Sequence, residues 1–254
     1  MGVYAMTGGA TGIGAALKAR LQSSGHDVIC VDIRDADIVA DLSTAEGREH
    51  AVAEVRARAA DGLDGLIPCA GVPPVTQPLS LIARVNYFGV VAVVEGLKDL
   101  VAKRRGTVLL VGSNSAPMVT GDDSYVQACL DGDEDKACAD IDARDGHTAY
   151  AGSKRALTMW MRRQVVAYAE MGVRINAVAP GITRTPLSEK VMSDPTLGQL
   201  MRDFADSVPW GGTAQPDQIA SVMAFMLSEA ADFVCGSVFF VDGGSDAMMR
   251  NDDF

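Results

Sequence analysis

Short apolar runs alternate with longer stretches of helical periodicity along almost the whole chain. The runs at residues 2–6, 27–32, 63–68, 107–112, 173–178 and 237–241, with a shorter one at 37–40, have the length of buried strands. Between them, residues 13–24, 44–60, 80–104, 148–170 and 215–228 carry the spacing of helices with one apolar face. This alternation predicts a parallel sheet wound on both faces, since each crossover helix covers one side of it. Ligands on such sheets bind beyond the C-terminal strand ends, where the winding changes direction. Gly8 to Gly14, Asp32, Cys69 to Gly71, Ser113 and Pro180-Gly181 all fall at such ends. Residues far apart in sequence should therefore meet in one crevice. No internal repeat or low-complexity linker interrupts the pattern.

Two of these clusters carry chemistry. Thr7-Gly8-Gly9-Ala10-Thr11-Gly12-Ile13-Gly14 follows the first apolar run and opens the first helix. Glycines in such a turn let the backbone approach a pyrophosphate, and the free N–H groups of the helix end favour its charge. The spacing Gly8, Gly12, Gly14 departs from the common G-x-G-x-x-G fingerprint. The second strand ends in Asp32, 18 residues beyond Gly14, near the place of a carboxylate that accepts hydrogen bonds from a ribose. Tyr150 and Lys154 lie four positions apart in a predicted helix, which puts both on one face. A phenol of ordinary pKa, about 10, is a poor acid–base group at neutral pH, and a cation beside it favours the phenolate. The pair can then exchange a proton with a carbonyl or an alcohol.

With these residues in place, the chain closely resembles the short-chain dehydrogenase/reductase family from residue 3 to about residue 249. The resemblance lies in the Thr7–Gly14 turn, in Cys69-Ala70-Gly71 where the family has Asn-Ala-Gly, and in the helical Asn86. Ser113, the Tyr150/Lys154 pair, the Pro180-Gly181 turn and Val241-Asp242-Gly243-Gly244 extend it. Within the family the chain looks most like the bacterial 3α-hydroxysteroid dehydrogenase/carbonyl reductase group. That likeness runs through Val31 to Ala36, Ala40 to Arg48, Val85 to Gly89 and Asp246 to Arg250.

The resemblance implies an α/β fold: a single-domain, Rossmann-type, doubly wound parallel sheet. It implies that Tyr150 donates the proton, that Lys154 lowers the phenol's pKa and bonds the nicotinamide ribose, that Ser113 positions the substrate oxygen, and that Asn86 anchors a water relay. Ser115 competes for the serine's role, but the strand ends at Val111-Gly112 and the family's serine falls on Ser113. For the dinucleotide it implies Gly8, Thr11, Gly12, Ile13 and Gly14 at the first turn, Asp32 and Ile33 after the second strand, and Asp41 and Leu42 at the adenine. Cys69, Ala70 and Gly71 follow, then Pro180 and Gly181 with Ile182, Thr183 and Thr185. NAD is expected over NADP, because Asp32 would repel a 2′-phosphate and neither Ala10 nor Thr11 is basic. Arg34 is the one nearby residue that argues the other way.

Composition narrows the partners to a small-molecule substrate. A net charge of −11 argues against nucleic acid and anionic membranes. No run of 18 or more apolar residues occurs, and the first strand begins without a signal-type segment, so a cytoplasmic location is expected. Five cysteines without a C-x-x-C pair read as reduced thiols, and three widely separated histidines give no expected metal site. The resemblance implies a homodimer or homotetramer.

Two spacings depart from the family. Asn86 comes only 15 positions after Gly71, a shortened approach to that helix. Ser113 and Tyr150 are 37 apart, far more than usual, so residues 116–146 form an insertion after the fifth strand, one that the named group also carries. From Gly121 to His147 it has nine acids against Lys136 and Arg144, and Ser124 to Ala139 reads as an acidic helix. It would lie near the substrate mouth and the helices most relatives pair through; a solvated flap without a role is the plainer alternative. Residues 184–212 would cover the substrate and contain Leu187, Val191, Met192, Leu197, Leu200, Met201, Phe204 and Trp210. Such a lid suits a bulky apolar ligand, and the resemblance implies a hydroxysteroid or terpenoid alcohol or ketone. The same pattern also describes the buried face of an ordinary amphipathic helix.

Overall fold

The structure is a computed structural model and describes residues 1–253. Its centre is a sheet of seven strands: β1 (Val3–Thr7), β2 (Asp27–Asp32), β3 (Ile38–Val39), β4 (Gly65–Pro68), β5 (Thr107–Val111), β6 (Arg174–Pro180) and β7 (Val238–Val241). Every pairing is parallel and the order is β3-β2-β1-β4-β5-β6-β7. The chain winds outward from β1 to β3, then returns to the other side of β1, so the switch in direction lies between β1 and β4. β4 and β5 are buried throughout, which is why they read as uninterrupted apolar runs.

Each face of the sheet has its own core. Leu17 and Leu21 of α1 (Gly12–Ser23) pack with Met223 and Met226 of α10 (Pro216–Leu227) on one side. On the other, Ala51 and Val55 of α2 (Ala45–Arg58), Val94 and Leu97 of α4 (Val90–Lys103) and Leu157 of α7 (Gly146–Glu170) close the second core.

The long helix expected over 80–104 is interrupted. α3 (Ser80–Ala83) passes into a π-helical turn, Arg84–Gly89, before α4 begins. The wider turn carries Asn86 inward, where its Oδ1 accepts from the Val72 N–H at 2.8 Å and its Nδ2 donates to the Val72 carbonyl at 3.1 Å. Periodicity does not reveal a single wide turn of this kind. The stretch Ser80–Lys103 is long and apolar enough to cross a membrane, but most of its apolar part is buried inside the protein. It is a core helix.

The insertion follows the fifth strand as expected but holds two helices, α5 (Ser124–Leu130) and α6 (Glu134–Asp142). Gly132, at φ +76°, breaks the run, and the Asp133 side chain restarts it by accepting from the Lys136 N–H at 3.0 Å. Nor is it a solvated flap. Tyr125 and Ile141 are fully buried, and a Cβ on Gly152 of α7 would lie 2.8 Å from Tyr125 Cδ1. The excess of acids is partly met by Arg144, 2.8 Å from Asp123. Helix α7 starts two residues earlier than predicted because Asp145 caps it, accepting from the Thr148 N–H at 2.9 Å. Beyond β6, residues 184–212 fold into α8 (Pro186–Met192) and α9 (Leu197–Ser207), and α11 (Ser245–Met249) follows β7.

Candidate active site

A cleft of about 620 Å³ opens over the C-terminal strand ends. At its floor the glycine turn joins β1 to α1. Gly8 has φ +73° and Gly12 φ +58°, backbone that favours glycine. A Cβ on Gly14 would come within 2.0 Å of the Gly8 carbonyl oxygen, and one on Gly8 within 2.5 Å of Ala70 Cα. These positions leave a cradle that side chains would fill, at the N-terminus of a twelve-residue helix, which suits a pyrophosphate. Asp32 stands at one side of the cradle. Its Oδ2 accepts from the Ala10 N–H at 3.0 Å and its Oδ1 from the Ile33 N–H at 2.7 Å, so the carboxylate is fixed beside the turn.

The cleft brings together every cofactor residue predicted from sequence, from the glycine turn through Asp32, Ile33, Asp41, Leu42 and Cys69–Gly71 to Pro180–Thr183 and Thr185. Ser113, Tyr150 and Lys154 line it as well; Asn86 does not. Asn86 sits behind the wall: the point where a Gly71 Cβ would stand is 3.3 Å from Asn86 Oδ1 and 3.9 Å from Lys154 Nζ. A side chain at position 71 would press on Asn86 and touch Lys154.

Lys154 is 5% exposed and donates from Nζ to the Val111 carbonyl at 2.8 Å. The same Nζ lies 5.9 Å from the centroid of the Tyr150 ring, so the four-residue spacing does place both on one face. Burial lowers the Lys154 pKa to about 8, opposed by Cys69. Tyr150 is corrected relative to expectation: burial raises its pKa, the Ser113 hydroxyl pulls it down, and Cys69 adds to the rise. Burial in one enclosed site disfavours the charged form of both groups, the phenolate and the ammonium alike. Ser113 Oγ lies 2.9 Å from Ser115 Oγ and accepts from the Ser115 N–H at 3.1 Å. Both serines line the cleft, and Ser113 is the one that acts on Tyr150. The Cys69 thiol is pushed up to about 11 by burial, with Lys154 opposing.

The far half of the cleft is apolar. Leu187, Val191, Leu197, Leu200, Met201 and Phe204 line it, while Met192 and Trp210 do not; Trp210 is 88% exposed. Its backbone N–H donates to the Gly243 carbonyl at 3.0 Å, in the loop beyond α9. Among the lining residues that sequence reasoning missed are Asn114, Met118, His147 and Met249. His147 was detectable, since it lies one helical turn before Tyr150 on the same face. The two methionines come from remote segments and give no local signal. Among the described residues no group of three or more His, Cys, Asp or Glu is placed to hold a metal.

A parallel sheet of this order, a glycine cradle at its switch point and a serine, tyrosine and lysine gathered beside it define a short-chain dehydrogenase/reductase, and the chain belongs to that family. Residues 3–124 match the family described as short chain dehydrogenase, and residues 137–246 the one described as enoyl-(acyl carrier protein) reductase. The chain is 40% identical to the 3-alpha-hydroxysteroid dehydrogenase/carbonyl reductase of Comamonas testosteroni over the full length of both. It is 45% identical to the 3-alpha-hydroxysteroid dehydrogenase of Pseudomonas sp. B-0831, solved in complex with NADH. That comparison has a TM-score of 0.95 and covers 99% of this chain and 100% of that one. It is also 29% identical to the cis-4-hydroxycyclohexanecarboxylate dehydrogenase of Sinomonas cyclohexanicum, with 97% of each covered.

Proposed function

We propose that this protein is an NAD(H)-dependent oxidoreductase that interconverts a secondary alcohol and a ketone, and that its substrate is bulky and apolar, of the hydroxysteroid kind. The observation that carries the reading is the desolvated Tyr150/Lys154 pair facing Ser113 at the point where the glycine cradle meets an apolar half-cleft. Gly8 to Gly14 hold the pyrophosphate, Asp32 the adenosine ribose, and Asp41 and Leu42 the base. Lys154 holds the nicotinamide ribose, and the segment Pro180 to Thr185 the nicotinamide. When bound, NAD(H) supplies the acceptor or donor of hydride. Tyr150 moves the proton at the substrate oxygen, as acid for reduction and as base for oxidation. Ser113 orients that oxygen by hydrogen bonding, Lys154 supports the phenolate, and Asn86 anchors a water chain that carries the proton through Lys154.

The apolar far half fits a rigid hydrocarbon body, which the similarity to the two hydroxysteroid dehydrogenases also favours. A small cyclic or terpenoid alcohol is the second reading, supported by the similarity to the cyclohexane-acting enzyme. A catalytically silent NAD sensor is disfavoured by the assembled proton-transfer group. The test is NADH formation from a panel of hydroxysteroids, cyclic terpenols and simple secondary alcohols, with Tyr150→Phe alongside. The variant should lose turnover by roughly 10²–10⁴ while keeping its affinity for NAD. A Tyr150→Phe protein with more than about a tenth of the wild-type rate would exclude Tyr150 as the proton donor.

The protein is further proposed to be cytoplasmic, with its five cysteines reduced, and to act without nucleic acid. It assembles as a homodimer or homotetramer. Phe225 of α10, Phe239 of edge strand β7 and Phe233 between them in sequence are all exposed, and large uncovered apolar side chains together with an open strand edge favour a self-complementary contact.

A further inference from the structure

The outer wall of the cleft is built in an unusual way. Beyond Asp32 the next strand is β3, and the residues leaving it, Ala40-Asp41-Leu42, line the cleft. This wall stands past the ribose carboxylate and so meets the adenine side of the dinucleotide. It is held from behind at close quarters. A Cβ on Gly47 would lie 2.0 Å from the Asp41 carbonyl oxygen and one on Gly89 3.0 Å from that of Leu42. Arg48 Nε donates to the same Leu42 carbonyl at 2.8 Å.

Arg48 is 9% exposed, and its two terminal nitrogens are engaged as well. Nη1 donates to Glu134 Oε2 at 2.6 Å, and Nη2 to Glu134 Oε1 at 3.1 Å and to the Arg84 carbonyl at 3.0 Å. Glu134 is the first residue of α6, inside the insertion, and Arg84 opens the π-helical turn whose next residue, Val85, lines the cleft. One guanidinium thus joins two walls of the cleft to a segment 86 positions away. Its donors lie in a rigid plane, so a two-point clamp by a carboxylate fixes the direction in which Nε points.

We infer that the Arg48–Glu134 pair is a strut through which the insertion fixes the adenosine end of the cleft, so that both are positioning residues for the dinucleotide. The inference rests on the reading of the cleft as an NAD site. It gives the acidic insertion a task beyond shaping access or assembly: without Glu134 the buried cation keeps only carbonyl partners, and the Leu42 wall loses its fixed backing.

The test uses Glu134→Ala and Glu134→Gln in the full chain, with binding of ADP-ribose and NAD by calorimetry beside steady-state kinetics. Glu134→Ala should weaken ADP-ribose and NAD alike, by about threefold to thirtyfold, and raise the KM for NAD while leaving kcat and the KM for the alcohol unchanged. Glu134→Gln, which keeps an acceptor for Arg48, should fall between it and the wild type; it also carries the comparison with the wild type should Glu134→Ala fail to fold. Unchanged ADP-ribose affinity in the variants, or a loss shared equally by kcat and the alcohol KM, overturns the strut. A folded wild-type protein that binds neither ADP-ribose nor NAD overturns the cofactor reading itself, and the strut with it.

Discussion

In the proposed function Asp32 sets cofactor choice through a charge held in one place. Two backbone N–H groups, from Ala10 and Ile33, fix its carboxylate beside the glycine turn, where a 2′-phosphate would meet a like charge. Asp32→Ala should therefore shift the ratio of kcat/KM for NADP over NAD upward by roughly 10²-fold, since such a juxtaposition costs several kcal/mol. Kinetics with both cofactors check this, and a wild-type protein that already prefers NADP would instead implicate Arg34. At this scale the site was largely legible: Gly8, Gly14, Asp32, Tyr150 and Lys154 announce themselves because the chemistry needs those residue types at those spacings. The protonation behaviour was not legible. Spacing predicted that Lys154 would hold the Tyr150 phenol down, whereas burial raises the phenol and brings the ammonium to about 8. Desolvation depends on how the whole cleft closes, and no local stretch of sequence encodes it.

Among the elements, strands and long helices were readable because each buries one continuous face. The failures share a cause. The π-helical turn at Arg84–Gly89 exists to satisfy Asn86 against Val72, a tertiary bond that periodicity cannot foresee. The split of the insertion into α5 and α6 hangs on Gly132 and the Asp133 cap, a local signal that the run of acids obscured. Its packing hinged on Gly152, whose missing side chain leaves the space that Tyr125 fills. Tyr125→Ala should accordingly destabilise the protein by roughly 3–5 kcal/mol, the range for removing a large buried ring, as read from urea unfolding. A loss below about 1 kcal/mol would mean that α5 contributes little to the fold.

For the whole molecule, the sheet gathers residues from Gly8 to Met249 into one cleft, so no single segment holds the site. The same sheet leaves β7 as an open edge, and Phe225, Phe233 and Phe239 are exposed. Light scattering should give a particle of at least twice the chain mass, and charged substitutions at Phe233 and Phe239 together should reduce it; a wild-type monomer would remove the assembly proposal. The apolar half of the cleft is organised differently from the dinucleotide half. Most of its lining comes from α8 and α9, and the chain entering and leaving this region is tied at its base by a single bridge between Thr183 and Ala214. Arg184 N–H donates to the Ala214 carbonyl and Ala214 N–H to that of Ile182, both at 2.9 Å. Residues 186–212 therefore behave as a cassette closed at its neck. Exchanging that cassette would retune which alcohols are accepted, while the residues proposed for hydride and proton transfer keep their places outside it.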